Sequence, residues 1–128
     1  MPTPPKTKNF TIAMRQSGSV SLVEVTGSLT SFESGAFRDA IRGLVAEKRK
    51  DIVLNLRGLE YLDSSGIGEL VRNYMTVIKS GGTMKVVGLS SKVEEILKIT
   101  QLYRVFPEFP DEEAALKSFP PGTNDSLK

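Results

Sequence analysis

The chain has 128 residues, 17 Lys and Arg against 15 Asp and Glu, and neither Cys nor His. That length suits one domain with an ordinary core, and the near-balanced charge argues against nucleic acid or an anionic membrane surface as partner. Without Cys there are no disulfides and no thiolate metal sites, and without His the commonest metal ligand and general base are missing. No run of 18 apolar residues marks a membrane span and no signal-peptide core opens the chain, so a cytoplasmic protein without membrane insertion is expected.

Residues 1–9 hold three prolines and are expected to be a disordered tail. Phe10–Met14 alternates like a strand, Gln16–Ser19 is turn chemistry, and Val20–Val25 reads as a second strand, giving an antiparallel hairpin. Gly27-Ser28-Leu29 leaves that strand. Thr30-Ser31-Phe32-Glu33 fits a capping box, and Phe37, Ala40, Ile41, Leu44 and Val45 follow at helical spacing. The run Glu47-Lys48-Arg49-Lys50 is expected to be a solvated helix end.

Ile52–Leu56 is almost continuously apolar, as an inner parallel strand buried on both faces would be. Ile67, Leu70, Val71, Tyr74, Val77 and Ile78 then recur with helical period, Glu69, Arg72, Asn73 and Lys79 lying between them. This helix stops at Ser80-Gly81-Gly82, and Met84–Gly88 is the next strand, completing a right-handed parallel βαβ unit. Ser91-Lys92-Val93-Glu94 is a second capping box, opening a helix with Val93, Ile96 and Leu97 inward. A short strand over Leu102–Phe106, a last helix capped by Asp111 and running to about Phe119, and a polar tail over 120–128 complete the reading. One α/β domain over 10–119 follows, with helices packed on a mixed four- to five-stranded sheet.

Between strand and helix stands Leu62-Asp63-Ser64-Ser65-Gly66-Ile67-Gly68. Ser64 or Ser65 can cap the helix, and Asp63 at a helix start is itself a common capping carboxylate. Gly66 and Gly68 each cost roughly 0.5–1 kcal/mol of helix stability relative to Ala, which suggests that they keep the backbone approachable beside an exposed hydroxyl. Ser64 as a nucleophile lacks a base: there is no His, and no Ser-x-x-Lys spacing starts at Ser64 or Ser65. The glycines do not form a phosphate loop, and Glu60, Asp63 and Glu69 match no calcium loop. No catalytic residue, metal ligand or cofactor is therefore assigned.

Val53–Leu56, the Asp63-Ser64-Ser65-Gly66-Ile67-Gly68 motif before a helix, and Gly81–Gly88 together resemble the STAS domain of anti-sigma factor antagonists, as does the Gly27-Ser28-Leu29 corner. The resemblance covers roughly residues 10–118. It implies a non-enzymatic binding protein, phosphorylated on Ser64 by an anti-sigma factor that is a serine kinase. The unphosphorylated form binds that kinase and frees a sigma factor; the phosphorylated form does not. Asp63, Ser64, Ser65, Gly66, Ile67 and Gly68, together with Thr30, would contact the partner, with the protein a monomer or weak dimer. Family members often carry Asp after the Gly-x-Leu corner as a kinase contact, and here that place is taken by Thr30. The alternative is a STAS scaffold or regulatory subunit of a signalling assembly or membrane transporter, with Ser64 unmodified.

Overall fold

The computed structural model describes residues 10–99 and 106–120. In chain order the elements are β1 (Phe10–Ser17), β2 (Val20–Leu29), α1 (Ser34–Ala46), β3 (Asp51–Asn55), β4 (Leu59–Leu62), α2 (Ser64–Lys79), β5 (Thr83–Val87), α3 (Ser91–Ile99), β6 (Glu108–Phe109) and α4 (Glu112–Lys117). The expected tails over 1–9 and 120–128 lie outside the described residues, apart from Pro120. So does the strand expected at Leu102–Phe106, apart from buried Phe106.

The sheet is mixed, six-stranded and ordered β1-β2-β3-β5-β6, with β4 beside the far end of β2. β1 and β2 form the expected antiparallel hairpin, from Phe10 opposite Gly27 to Ser17 opposite Val20. All other pairings are parallel. β2 reaches four residues past the expected Val25, because one edge serves two neighbours in turn. Val20–Glu24 pairs with β3, and Gly27–Leu29 pairs with β4 across a register shift at Gly27/Ser28. The strand over Leu59–Leu62 was not expected, nor was β6.

The larger core lies between the sheet and α1, α2 and α3, and contains Val23, Val25, Leu29, Phe37, Ile41, Ile52, Leu54 and Leu70. The opposite face carries Val20, Leu22, Val53 and Val87 under Ala115 and Phe119 from the α4 segment. β3 is thus buried on both faces, as its unbroken apolar run requires. β3 and β5 are adjacent and parallel, as the βαβ reading anticipated. The α2 helix ends as expected, Gly81 taking the left-handed backbone (φ 89°) that closes it.

Three local expectations change. At α3 the capping side chain belongs to Ser90, whose Oγ accepts from Val93 N at 3.2 Å, so the Ser91 box is displaced by one residue. The basic run is only half solvated: Arg49 donates to Gly18 O and Ser21 Oγ, and Lys50 Nζ donates to Ser80 O at 3.0 Å. On α2, Glu69 and Asn73, which the helical period places off the apolar stripe, are nonetheless buried, because α1 packs across that side of the helix.

Candidate functional site

Two strand-to-helix junctions lie side by side at one end of the sheet. Leu29, the last residue of β2, pairs with Leu62, the last of β4. Each strand therefore releases its chain at the same place, β2 toward α1 and β4 toward α2. Asp63 N donates back to Leu29 O at 3.4 Å, which closes the gap between them.

At the second junction Asp63 is the cap of α2. Its backbone is extended (φ −97°, ψ −172°) and its Oδ1 accepts from Gly66 N at 2.8 Å. This corrects the expectation that Ser64 or Ser65 caps: they are the first two helical residues, both exposed. Gly66 is also corrected. It is buried, and a Cβ there would stand 2.1 Å from Leu29 O and 3.1 Å from Leu62 Cβ. Glycine at 66 lets the helix start lie directly on the end of β2, and has no role in access from solvent. Gly68 differs, because a Cβ there would meet only the Arg72 guanidinium, at 3.4 Å or more. Ile67 is half-buried against the core and holds α2 down more than it faces outward. Among the expected partner-binding residues, Ser64 and Ser65 form the open part of the junction, with Asp63 and Gly68 half-buried at its edge.

At the first junction only half of the capping box forms. Glu33 Oε1 accepts from Thr30 N at 2.9 Å and from Thr30 Oγ1 at 2.5 Å, while Thr30 Oγ1 accepts from Phe32 N at 3.4 Å. Thr30 O accepts from Glu33 N, Ser34 N and Ser34 Oγ. The helix proper begins at Ser34, with Glu33 and not Thr30 in the cap position. Thr30 therefore anchors a turn ahead of the helix. That turn holds Phe32 with 92% of its surface exposed. Sequence reasoning passed over Phe32, since nothing in the capping-box pattern says whether its second apolar residue faces in or out.

One turn into α2 a charged cluster ties the helices together. Glu69, 2% exposed at its side chain, accepts from Arg38 Nε at 3.0 Å and Nη2 at 3.1 Å. Asn73 Nδ2 adds a bond at 2.8 Å and Arg72 Nη2 one at 3.3 Å. The fork of Arg38, helped by Asn73 and Arg72, outweighs burial and holds the Glu69 carboxyl down at about 2, and Arg38 is itself raised by Glu69. This pair fixes α1 against α2 just behind the two junctions.

Among the described residues no group of three or more His, Cys, Asp or Glu is placed to hold a metal ion, and no helix is long and apolar enough to cross a membrane. What this end of the molecule offers is the exposed hydroxyls of Ser64 and Ser65 at one junction and the exposed Phe32 at the other.

Comparison with known proteins agrees with that chemistry. An anti-sigma F factor antagonist from Paenibacillus polymyxa is 28% identical over 109 residues, covering 84% of this chain and 93% of the relative. Among solved structures, an anti-sigma factor antagonist from Mycobacterium paratuberculosis superposes with a TM-score of 0.75 at 28% identity, over 85% of this chain and 92% of that one. The Bacillus cell fate determinant SpoIIAA, solved in its phosphorylated form, shares the fold with a TM-score of 0.65 at 18% identity, over 86% of this chain and 99% of that one. The names of these relatives are those of regulators, not of enzymes. The STAS domain model matches residues 11–115, and the chain belongs to the STAS domain family.

Proposed function

We propose that this protein is an anti-sigma factor antagonist, a binding regulator without catalytic activity of its own, switched by phosphorylation of Ser64. One observation carries the reading. Asp63 does the capping, so the Ser64 hydroxyl stands exposed at the helix start with no structural duty. The names of the relatives point to the same role, and the SpoIIAA structure is of a phosphorylated protein.

The partner is an anti-sigma factor that is also a serine kinase, docking over both junctions. Phe32 is a rigid apolar anchor for it, and the Thr30–Glu33 turn orders that anchor in advance, lowering the entropy lost on binding. Phosphoryl transfer joins Ser64 Oγ to the γ-phosphorus of a nucleoside triphosphate, breaks the bond to the nucleoside diphosphate and releases the hydroxyl proton. The product carries roughly −1.5 to −2 charge at pH 7. The helix N-terminus offsets this by roughly 0.3–1 kcal/mol. A partner carboxylate about 5 Å away is repelled by roughly 3 kcal/mol at an effective dielectric of 20. Repulsion wins, and affinity drops by about 100-fold.

The test is incubation with each purified anti-sigma factor kinase of the source organism and ATP, followed by phosphopeptide mass spectrometry and a binding titration. Ser64→Ala is expected to abolish modification while keeping partner affinity within about threefold, a neutral hydroxyl contributing little to a wide interface. Modification on Ser65 alone would assign the switch to the wrong hydroxyl. Binding that is equal before and after modification would sink the switch.

A further inference from the structure

The cluster behind Ser64 holds one more cation than its carboxylate needs. Glu69 has three short bonds from Arg38 and Asn73, at 2.8 to 3.1 Å. The bond from Arg72 is the longest of the set at 3.3 Å, and the Arg72 side chain is 67% exposed. A carboxylate offers about four acceptor sites, so Glu69 stays satisfied when Arg72 leaves.

Arg72 also lies in an informative direction. Its Nη1, Nη2 and Cζ stand 3.4, 3.5 and 3.7 Å from the place a Cβ on Gly68 would occupy. The guanidinium therefore runs back along the helix toward its start, as long helical side chains do. Residues 64, 68 and 72 are successive i+4 neighbours on one side of α2. From Gly68 to Ser64 is one turn, about 5–6 Å between Cβ positions. Phosphorylation extends the Ser64 side chain into that gap, and a charge-assisted N–H···O bond spans about 2.8 Å of the rest. Glycine at 68 keeps the track open.

We propose that Arg72, passing over Gly68, grips the phosphate of phosphorylated Ser64 and releases Glu69 to Arg38 and Asn73. This rests on the reading of Ser64 as the phosphoacceptor. It gives the modified form an internal partner for its phosphate, and places Arg72 as a positioning residue of the switch. Asp63 is the anion next in sequence to the phosphate, and it acts equally whether Arg72 is present or replaced.

The experiment installs phosphoserine at position 64 by genetically encoded incorporation and follows its second ionisation by 31P NMR titration, with no kinase involved. With Arg72 present, the phosphate pKa is expected to lie at least about 0.5 below that of the Arg72→Ala protein, with Arg72→Lys between them. Gly68→Leu, which fills the track and keeps Arg72, is expected to titrate like Arg72→Ala. A merely structural Arg72 would shift the melting temperature and leave the phosphate titration unmoved. Coincident titrations of the Arg72 and Arg72→Ala proteins, or of the Arg72 and Gly68→Leu proteins, overturn the proposal. Since the phosphate is installed directly, that failure is separate from a failure of any kinase to modify Ser64.

Discussion

The two junctions begin from the same pair of residues and solve opposite problems. After Leu29 the chain is held by polar groups: Thr30 and Glu33 bond to each other, and Thr30 O takes three donors. After Leu62 the chain is held by contact: Gly66 lies on Leu29 O, and one carboxylate, Asp63, closes the helix end. The first arrangement displays an aromatic ring and ties up the Thr30 hydroxyl with Glu33; the second displays two serine hydroxyls and hides a glycine. The modification proposed for Ser64 needs a serine relieved of structural work, and here Asp63 takes the capping over.

The sharpest way to break the comparison is Gly66→Ala. The added methyl has to displace backbone, so the variant is expected to lose at least about 3 kcal/mol, seen as a large drop in melting temperature. Gly68→Ala, facing only a side-chain tip, is expected within about 0.5 kcal/mol of the parent or above it. Equal effects at the two glycines in thermal melts would erase the distinction between a buried and an open glycine.

Acid separates the junctions from the clamp behind them. In the folded protein the Glu69 carboxyl titrates near 2, below its ordinary 4.5. Its contribution is therefore complete above about pH 4.5 and is lost as pH falls toward 2, on the order of 3 kcal/mol in all. Glu112, lowered chiefly by its hydrogen bond from Arg15, loses stability in the same direction. Denaturant titrations of the parent and Glu69→Gln across that range isolate the Glu69 share. Parallel pH profiles would show that the Arg38–Glu69 pair is not what locks α1 to α2.

The smallest expected effects sharpen the cap comparison. Asp63→Ala removes a side-chain cap and is expected to cost about 1 kcal/mol. Thr30→Ala, whose hydroxyl serves a turn and not the helix cap, is expected to cost less, about 0.5 kcal/mol. Thr30→Asp places a carboxylate beside Glu33, which now accepts from both Thr30 N and Thr30 Oγ1. It is expected to be the less stable of the two Thr30 variants in chemical denaturation.

Much of this was legible in the residues. The hairpin, α2 and β5 carry periods of 2 or 3.6, and β3 an unbroken apolar run, strong enough to survive without context. β4 was not, because four residues between Gly58 and Asp63 offer too little pattern, and the extra length of β2 that pairs with it passes through a glycine that looks like an exit. The motif Asp63–Gly68 was located between strand and helix correctly, but the capping residue and the place of Gly66 were not. Nothing local distinguishes Gly66 from Gly68; the difference is the carbonyl of Leu29, thirty-odd residues back in the chain (a contact that only tertiary structure reveals). The burial of Glu69 was hidden for the same reason, since its guanidinium partner sits on another helix.

The divided edge of β2 also sets an order of assembly. The β1–β2 hairpin closes through a tight turn and needs no other part of the chain. Each parallel pairing must first close a loop containing a whole helix or reaching across β3, and loop closure is where folding of such topologies spends its time. β4 pairs with the Gly27–Leu29 end of β2, and Gly66 rests on the Leu29 carbonyl, so both are expected to settle after that end of β2 is in place. The Ser64 segment is therefore expected to form late, and native-state hydrogen exchange is expected to show its amides opening before those of β2 and β3.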